Sequence, residues 1–296
     1  MLAVTGPADT PAADIDAFVG GFEVIAPTDE AESADSARRP QETTVAGHRL
    51  RYLDLGTGNP PALLLHGFGA DLSSWMFVQP GLAAERRVIA LDLPGHGGSG
   101  RDVGGGDIDT FANVVAAFIS EVVGQPVHLV GHSMGGGIAL ALAHRRPDVV
   151  KTLTLVAPAG LGSEINGAFI DGFVRMGRRK EAQDVLRLLV HDPGAVSRSM
   201  VEDVLRFKRL DGVPQALETI AKAWFPGGRQ AWTVGGATPV PTQVIWGNQD
   251  QVVPAAHAAN APHGAVVHRL DQVGHLPHME KAADVCRLIG RFMAAG

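Results

Sequence analysis

The sequence predicts an α/β fold: a mostly parallel central sheet covered by helices on both faces, with an all-helical insertion. Two observations carry this. Six apolar strand-like runs each end in a Gly-rich or polar loop, and their hydrophobicity is continuous rather than alternating. A strand buried on both faces has that pattern, whereas one water-facing side would impose a period of two. Helical-period segments also alternate with those runs, the order that builds a parallel sheet through crossover connections.

Residues 1–42 form an acidic N-terminal segment, and within it 24–42 are rich in Ala, Ser, Pro and acids, the composition of a linker. The body opens with ETTVAGHRLRYLDLG, two short strand runs joined at Ala46-Gly47. PALLLHGFG and RVIALDLPGHGGSG are each a strand feeding a Gly-rich loop. VHLVGHSMGGGIALALAHRRP reads as strand, tight turn and helix, stopped by Pro147. VKTLTLVAPAG, PTQVIWGNQD and AVVHRLDQVGH are three further strand-to-loop units. The last stretch places Val285, Leu288, Ile289 and Phe292 at helical spacing, to pack on the sheet.

Residues 162–236 break the alternation. VLRLL, MVEDVLRF and ALETIAKAWF have helical spacing with no strand between them. The expectation is a helical cap over the C-terminal edge of the sheet, where open α/β sheets bind ligands. It leaves 43–161 and 237–296 as the core, and the cap is expected to govern substrate choice rather than chemistry.

Composition narrows the function. The chain has 296 residues, 45% of them hydrophobic, enough for one α/β core with an appendage. The net charge of −6 resides in residues 1–40, where eight acids face only Arg38 and Arg39. The remainder is neutral, so nucleic acid is not an expected partner. Cys286 is the single cysteine, which excludes an internal disulfide and fits a reducing, cytoplasmic setting. MLAVTGPADT lacks the basic and apolar regions of a signal peptide. No uncharged apolar run approaches the ~18 residues of a membrane span, so a soluble protein is expected.

Gly131-His132-Ser133-Met134-Gly135 matches G-x-S-x-G between a strand and a helix. In that context the glycines permit a sharp turn that exposes the serine hydroxyl at a helix N-terminus. A serine needs a base to act as nucleophile at neutral pH. Asp250 follows the strand VIW, and His275 follows VVHRL, giving the order Ser…Asp…His. His275 is expected to take and return the serine proton, and Asp250 to hold the imidazole tautomer. The backbone N–H groups of Met134 and of Phe68, in the loop His66-Gly67-Phe68-Gly69, are the expected oxyanion donors. Asp92 and His96 precede Ser133 in DLPGHGGSG and read as a structural turn. His278 reads as the opening of the last helix, near Glu280. No metal-ligand spacing and no phosphate-loop lysine are present, so no metal or nucleotide site is expected.

HGFG, DLPGHGGSG, GHSMGG, WGNQD and VGH together resemble the α/β-hydrolase superfamily over residues 43–296. Serine at 133 stands where epoxide hydrolases and haloalkane dehalogenases carry aspartate. More narrowly, APAGLGSEINGAFIDGF, RFKRLDGV and FPGGRQ look like the catalytic domain of dihydrolipoyllysine acetyltransferase components of acetoin dehydrogenase complexes. The resemblance implies serine-dependent acyl transfer, with acetyl passing from a lipoyl thioester to coenzyme A as acceptor substrate. It also implies a lipoyl domain or dehydrogenase subunits as partners. Residues 1–22 look like the last strand of a lipoyl domain entering its linker, and the family's lipoylated lysine is absent. The acyl arm would therefore come from another chain or from sequence upstream. A stand-alone carboxylic ester or thioester hydrolase, or a C–C bond hydrolase, is the alternative; a non-catalytic binding module is the least favoured.

One feature bears on the acceptor. Residues 175–209 hold nine basic residues, among them Arg178, Arg179, Lys180, Arg206, Lys208 and Arg209, against five acids. Such a patch suits coenzyme A phosphates or an acidic lipoyl domain, with Arg178, Arg179 and Lys180 as the candidate contacts. It equally suits the solvated face of amphipathic helices.

Overall fold

A computed structural model describes residues 39–234 and 236–296. The segment read as the edge of a lipoyl domain lies outside the described residues. The chain first pairs as a hairpin of β1 (Gln41–Val45) and β2 (His48–Leu55), turned by Ala46 and Gly47 at φ 49° and 80°. Positive φ at both turn residues is what a two-residue hairpin of this twist demands. β1 begins at Gln41, inside the stretch 24–42 whose composition reads as a linker. Gln41 pairs with Tyr52 across the ladder and accepts a hydrogen bond from its hydroxyl at 3.0 Å.

The remaining strands are β3 (Ala62–Leu65), β4 (Val88–Leu91), β5 (Val127–His132), β6 (Val150–Val156), β7 (Thr242–Gly247) and β8 (Val266–Leu270). They form one eight-stranded sheet in the order β1-β2-β4-β3-β5-β6-β7-β8. Within this sheet the β1–β2 and β2–β4 pairings are antiparallel and the others parallel.

The continuous hydrophobicity has a plain cause. Leu63, Leu65, Ile89, Leu91, Leu129, Leu153, Leu155 and Trp246 enter one apolar layer. Their neighbours Ala62, Leu64, Val88, Ala90, Val130, Val156 and Ile245 enter the layer on the opposite face. Burying each large aliphatic side chain contributes about 1.5–3 kcal/mol, so these layers dominate the stability of the sheet.

α1 (Gln79–Ala83) and α9 (Ala282–Ala295) belong to the second layer, and α2 (Ile108–Phe118) and α3 (Met134–Arg145) to the first. On α9 the deepest residues are Val285, Ile289 and Met293, each one turn from the next. Leu288 packs at the edge of that stripe, and Phe292 is only half-buried, because the stripe follows steps of four.

Between β6 and β7 lie α4 (Gly167–Arg175), α5 (Arg179–Arg187), α6 (Arg198–Lys208) and α7 (Val213–Trp224). α4 was not legible as a helix, since Gly167 and Gly172 dilute its pattern. Asn166 caps it, accepting from the N–H groups of Ala168 and Phe169. These helices seat on the loop after β3 through aromatic rings. Phe68 meets Phe173 and Phe225 edge-on, with centroids 5.6 and 6.0 Å apart.

Lys208 does not belong to a docking patch. It is buried, and its ammonium donates to the carbonyls of Phe173, Val174 and Met176, closing the C-terminus of α4. Burial pushes its pKa down to about 8, against the nearby Glu181 carboxylate, which holds it up. Much of the remaining basic charge is paired on the helix surfaces: Arg179 and Arg198 with Glu202, Arg187 with Asp184, Arg206 with Asp203.

Candidate active site

β5 ends at His132 and α3 starts at Met134, so Ser133 alone makes the turn, at φ 52° and ψ −118°. That conformation is costly for a residue with a side chain and persists only where packing enforces it. The flanking glycines supply the room. A Cβ on Gly135 would lie 2.5 Å from the Leu65 and His66 carbonyl oxygens, and one on Gly131 would lie 2.3 Å from the Gly135 oxygen. Strand, turn and helix therefore interlock only with glycine at both places.

The turn aims the hydroxyl at His275. Ser133 Oγ is 3.0 Å from His275 Nε2, and His275 Nδ1 donates to Asp250 Oδ2 at 2.8 Å. The residues come from the ends of β5, β7 and β8, on the C-terminal edge of the sheet. Ser133 is 8% exposed and the side chains of His275 and Asp250 are 2% and 0% exposed, so water has little access. Asp250 Oδ2 also accepts from Trp246 Nε1 at 2.9 Å, while Oδ1 accepts from the N–H groups of Val252 and Val253. Four donors thus fix one carboxylate. With the imidazole proton held on Nδ1, Nε2 is free to receive a proton from serine.

The loop carrying Phe68 lies against Ser133. A Cβ on the neighbouring Gly67 would sit 3.1 Å from Ser133 Cβ. His66 holds that loop in place: its Nδ1–H donates to the Gly67 carbonyl, and its Nε2 accepts from Leu93 N–H. Met134 is the first residue of α3, so its N–H has no partner within the helix. The loop that carries Phe68 and the first residue of α3 thus both flank Ser133.

Asp92 is occupied elsewhere. Its carboxylate accepts from Leu72 N–H, Gly98 N–H and Arg51 Nε, and Ser99 donates to its carbonyl. His96 donates from Nδ1 to the Pro94 carbonyl. No relay from this pair to Ser133 exists among the described residues. Arg178, Arg179 and Lys180 lie exposed at the N-terminus of α5.

Three residues of the site take roles that the sequence does not assign to them. Trp246 braces Asp250, as above. Glu280 accepts three backbone N–H groups around His275. His132 donates from Nε2 to the His275 carbonyl at 2.8 Å, and its ring packs at a tilt against His278, 4.5 Å away, which packs in turn against Trp75. His278 lies, fully buried, in a short helix of its own, α8 (Pro277–Glu280), ahead of the last helix that it was expected to open.

These buried imidazoles predict an acid limit. Burial pushes His96 and His278 down to about 3 and His132 well below its ordinary value. Because the unfolded chain binds these protons first, stability is complete above pH ~6.5 and falls progressively toward pH ~3. The urea midpoint is expected to drop across that window, and His278→Phe should flatten the drop. A midpoint constant from pH 7 to 4 would contradict this.

The pattern of the α/β hydrolase fold family matches residues 60–282. The chain belongs to that family. This α/β hydrolase is 42% identical to the dihydrolipoyllysine-residue acetyltransferase component of the acetoin cleaving system of Cupriavidus necator, over 99% of this chain and 79% of that protein. The corresponding component of Pseudomonas putida is 40% identical over 96% of this chain and 77% of that protein. A 2-hydroxymuconate semialdehyde hydrolase from a Pseudomonas species is 34% identical over 86% of this chain and 93% of that protein. Among solved structures, a meta-cleavage product hydrolase from Pseudomonas fluorescens superposes with a TM-score of 0.79 at 23% identity. That superposition covers 86% of this chain and 97% of the other, a likeness of fold. The α/β-hydrolase chain is accordingly an enzyme. No helix among the described residues is long and apolar enough to cross a membrane.

Proposed function

We propose that this enzyme transfers an acyl group through an ester on Ser133, taking acetyl from a dihydrolipoyl thioester and passing it to coenzyme A. The observation that carries the chemistry is the continuous hydrogen-bonded array Asp250–His275–Ser133 at a strained turn. Ser133 Oγ attacks the thioester carbonyl as His275 takes its proton, and the N–H groups of Phe68 and Met134 receive the oxyanion. Collapse forms the serine ester and breaks the C–S bond, and the imidazolium protonates the leaving sulfur. The coenzyme A thiol then attacks the ester, its proton passing through His275 back to Ser133. The likeness to dihydrolipoyllysine-residue acetyltransferase components over nearly the whole chain supports acetyl transfer with a lipoyl-bearing partner as donor.

Burial of the nucleophile supports transfer over hydrolysis, since an acyl-enzyme shielded from water survives until a positioned thiol arrives. Arg178 and Lys180 are the phosphate contacts in this reading, being exposed and without a salt bridge among the described residues, while Arg179 already holds Glu202. The hydrolase likeness favours a second reading, in which water is the acceptor. Product analysis separates the two. With S-acetyl-dihydrolipoamide and saturating coenzyme A, acetyl-coenzyme A is expected to exceed acetate, and replacing Arg178 and Lys180 with alanine should raise the KM for coenzyme A. Acetate as the main product would overturn the transferase reading.

A further inference from the structure

We infer that Glu280 and the turn Leu189–His191 position His275, so that activation of Ser133 depends on the cap being seated. The inference rests on the reading of Ser133, His275 and Asp250 as the catalytic array. His275 lies five residues past the end of β8, on a loop that no ladder holds. Its backbone is gripped from two directions. Its N–H donates to the Leu189 carbonyl at 2.8 Å, and its carbonyl accepts from the His132 ring.

Glu280 completes the grip. Its Oε1 accepts from the N–H groups of Gly274 and Leu276, the residues on either side of His275, at 2.9 and 3.3 Å. Its Oε2 accepts from His191 N–H at 2.7 Å. One oxygen therefore holds the histidine loop and the other holds the tail of α5. The two segments touch directly: a Cβ on Gly274 would lie 2.7 Å from His191 N and from the Val190 carbonyl carbon. Glycine at 274 lets the turn of the cap lie flat on the loop. A cap that governs substrate choice alone is thus too narrow a description, because its turn also supports the base.

A carboxylate suits this place. Two oxygens with about four acceptor sites meet three donors from two segments. Glutamine has one acceptor oxygen. If that oxygen keeps Gly274 and Leu276, the amide nitrogen faces His191 N–H, donor against donor, and only the bond to the cap is lost. Alanine removes all three bonds.

The test compares the wild type with Glu280→Gln, Glu280→Ala and Ser133→Ala. A fluorophosphonate forms an O–P bond to Ser133 and expels fluoride, with the serine proton passing to His275. Its labelling rate reads the Ser–His pair without demanding a fitted substrate. For Glu280→Ala, labelling and the kcat for a small aryl acetate are expected to fall about 100-fold, the scale of a misplaced catalytic group, with KM nearly unchanged. For Glu280→Gln the fall should be about tenfold, one hydrogen bond's worth. Glu280→Gln preserves side-chain volume, so it carries the test if the alanine variant fails to fold. Both variants labelling at the wild-type rate would overturn the inference, as would a rise in KM with kcat unchanged. Labelling of Ser133→Ala would instead overturn the reading of the site itself.

Discussion

Ser133→Ala is expected to lower turnover by about 10⁴–10⁶-fold and to abolish fluorophosphonate labelling while leaving the fold intact. Alanine keeps the Cβ that the turn at φ 52° already accommodates, so the backbone strain is unchanged. What disappears is the one hydroxyl in line with His275 Nε2. Other serines are differently engaged: Ser99 donates to the Asp92 carbonyl at 2.6 Å, and Ser163 accepts from Arg229. Residual turnover would come from binding and oxyanion stabilisation acting on water, because those parts of the site survive the change. Intact-mass analysis after probe treatment checks the outcome. One adduct on the wild type and none on the variant is expected, and an adduct at Ser99 or Ser163 would remove Ser133 from the assignment.

The residues of the hydrogen-bonded array were legible because each sits at a backbone transition that leaves a local mark. Ser133 is flanked by glycines between a strand and a helix; Asp250 and His275 each follow a run of strand residues. The sheet was legible for a similar reason, since burial on both faces removes alternation from strands such as ALLL. What stayed hidden depends on how the chain folds back on itself. Glu280 meets a backbone N–H 89 residues away, and Trp246 is recognisable as a brace only once the loop after β7 folds back toward its indole. Lys208 was misread because the spacing of a charged side chain along a helix does not say whether it points to water or to the end of α4. Even the short helix holding His278 presents that ring inward, against Trp75 and His132, for reasons of packing that no nearby residue announces.

Asp250→Asn is expected to cost about 10⁴-fold in turnover, the loss that a wrong imidazole tautomer brings in serine proteases. The carboxylate meets two donors at each oxygen: the Val252 and Val253 N–H groups at Oδ1, and Trp246 Nε1–H and His275 Nδ1–H at Oδ2. Asparagine has one acceptor oxygen, so its NH₂ group must confront one of these pairs. If the oxygen stays with the two backbone donors, the NH₂ faces His275, and the imidazole avoids the clash by moving its proton to Nε2. The proton then points at Ser133 Oγ, and the base can no longer accept. Asp92→Asn is the contrasting variant. Its carboxylate holds Leu72, Gly98 and Arg51, so it should act on thermal stability and leave kcat of the folded enzyme near wild type. Steady-state kinetics with a small aryl ester, paired with melting curves for both variants, decides between the two carboxylates. An inactive, well-folded Asp92→Asn beside an active Asp250→Asn would move the acid of the array to Asp92.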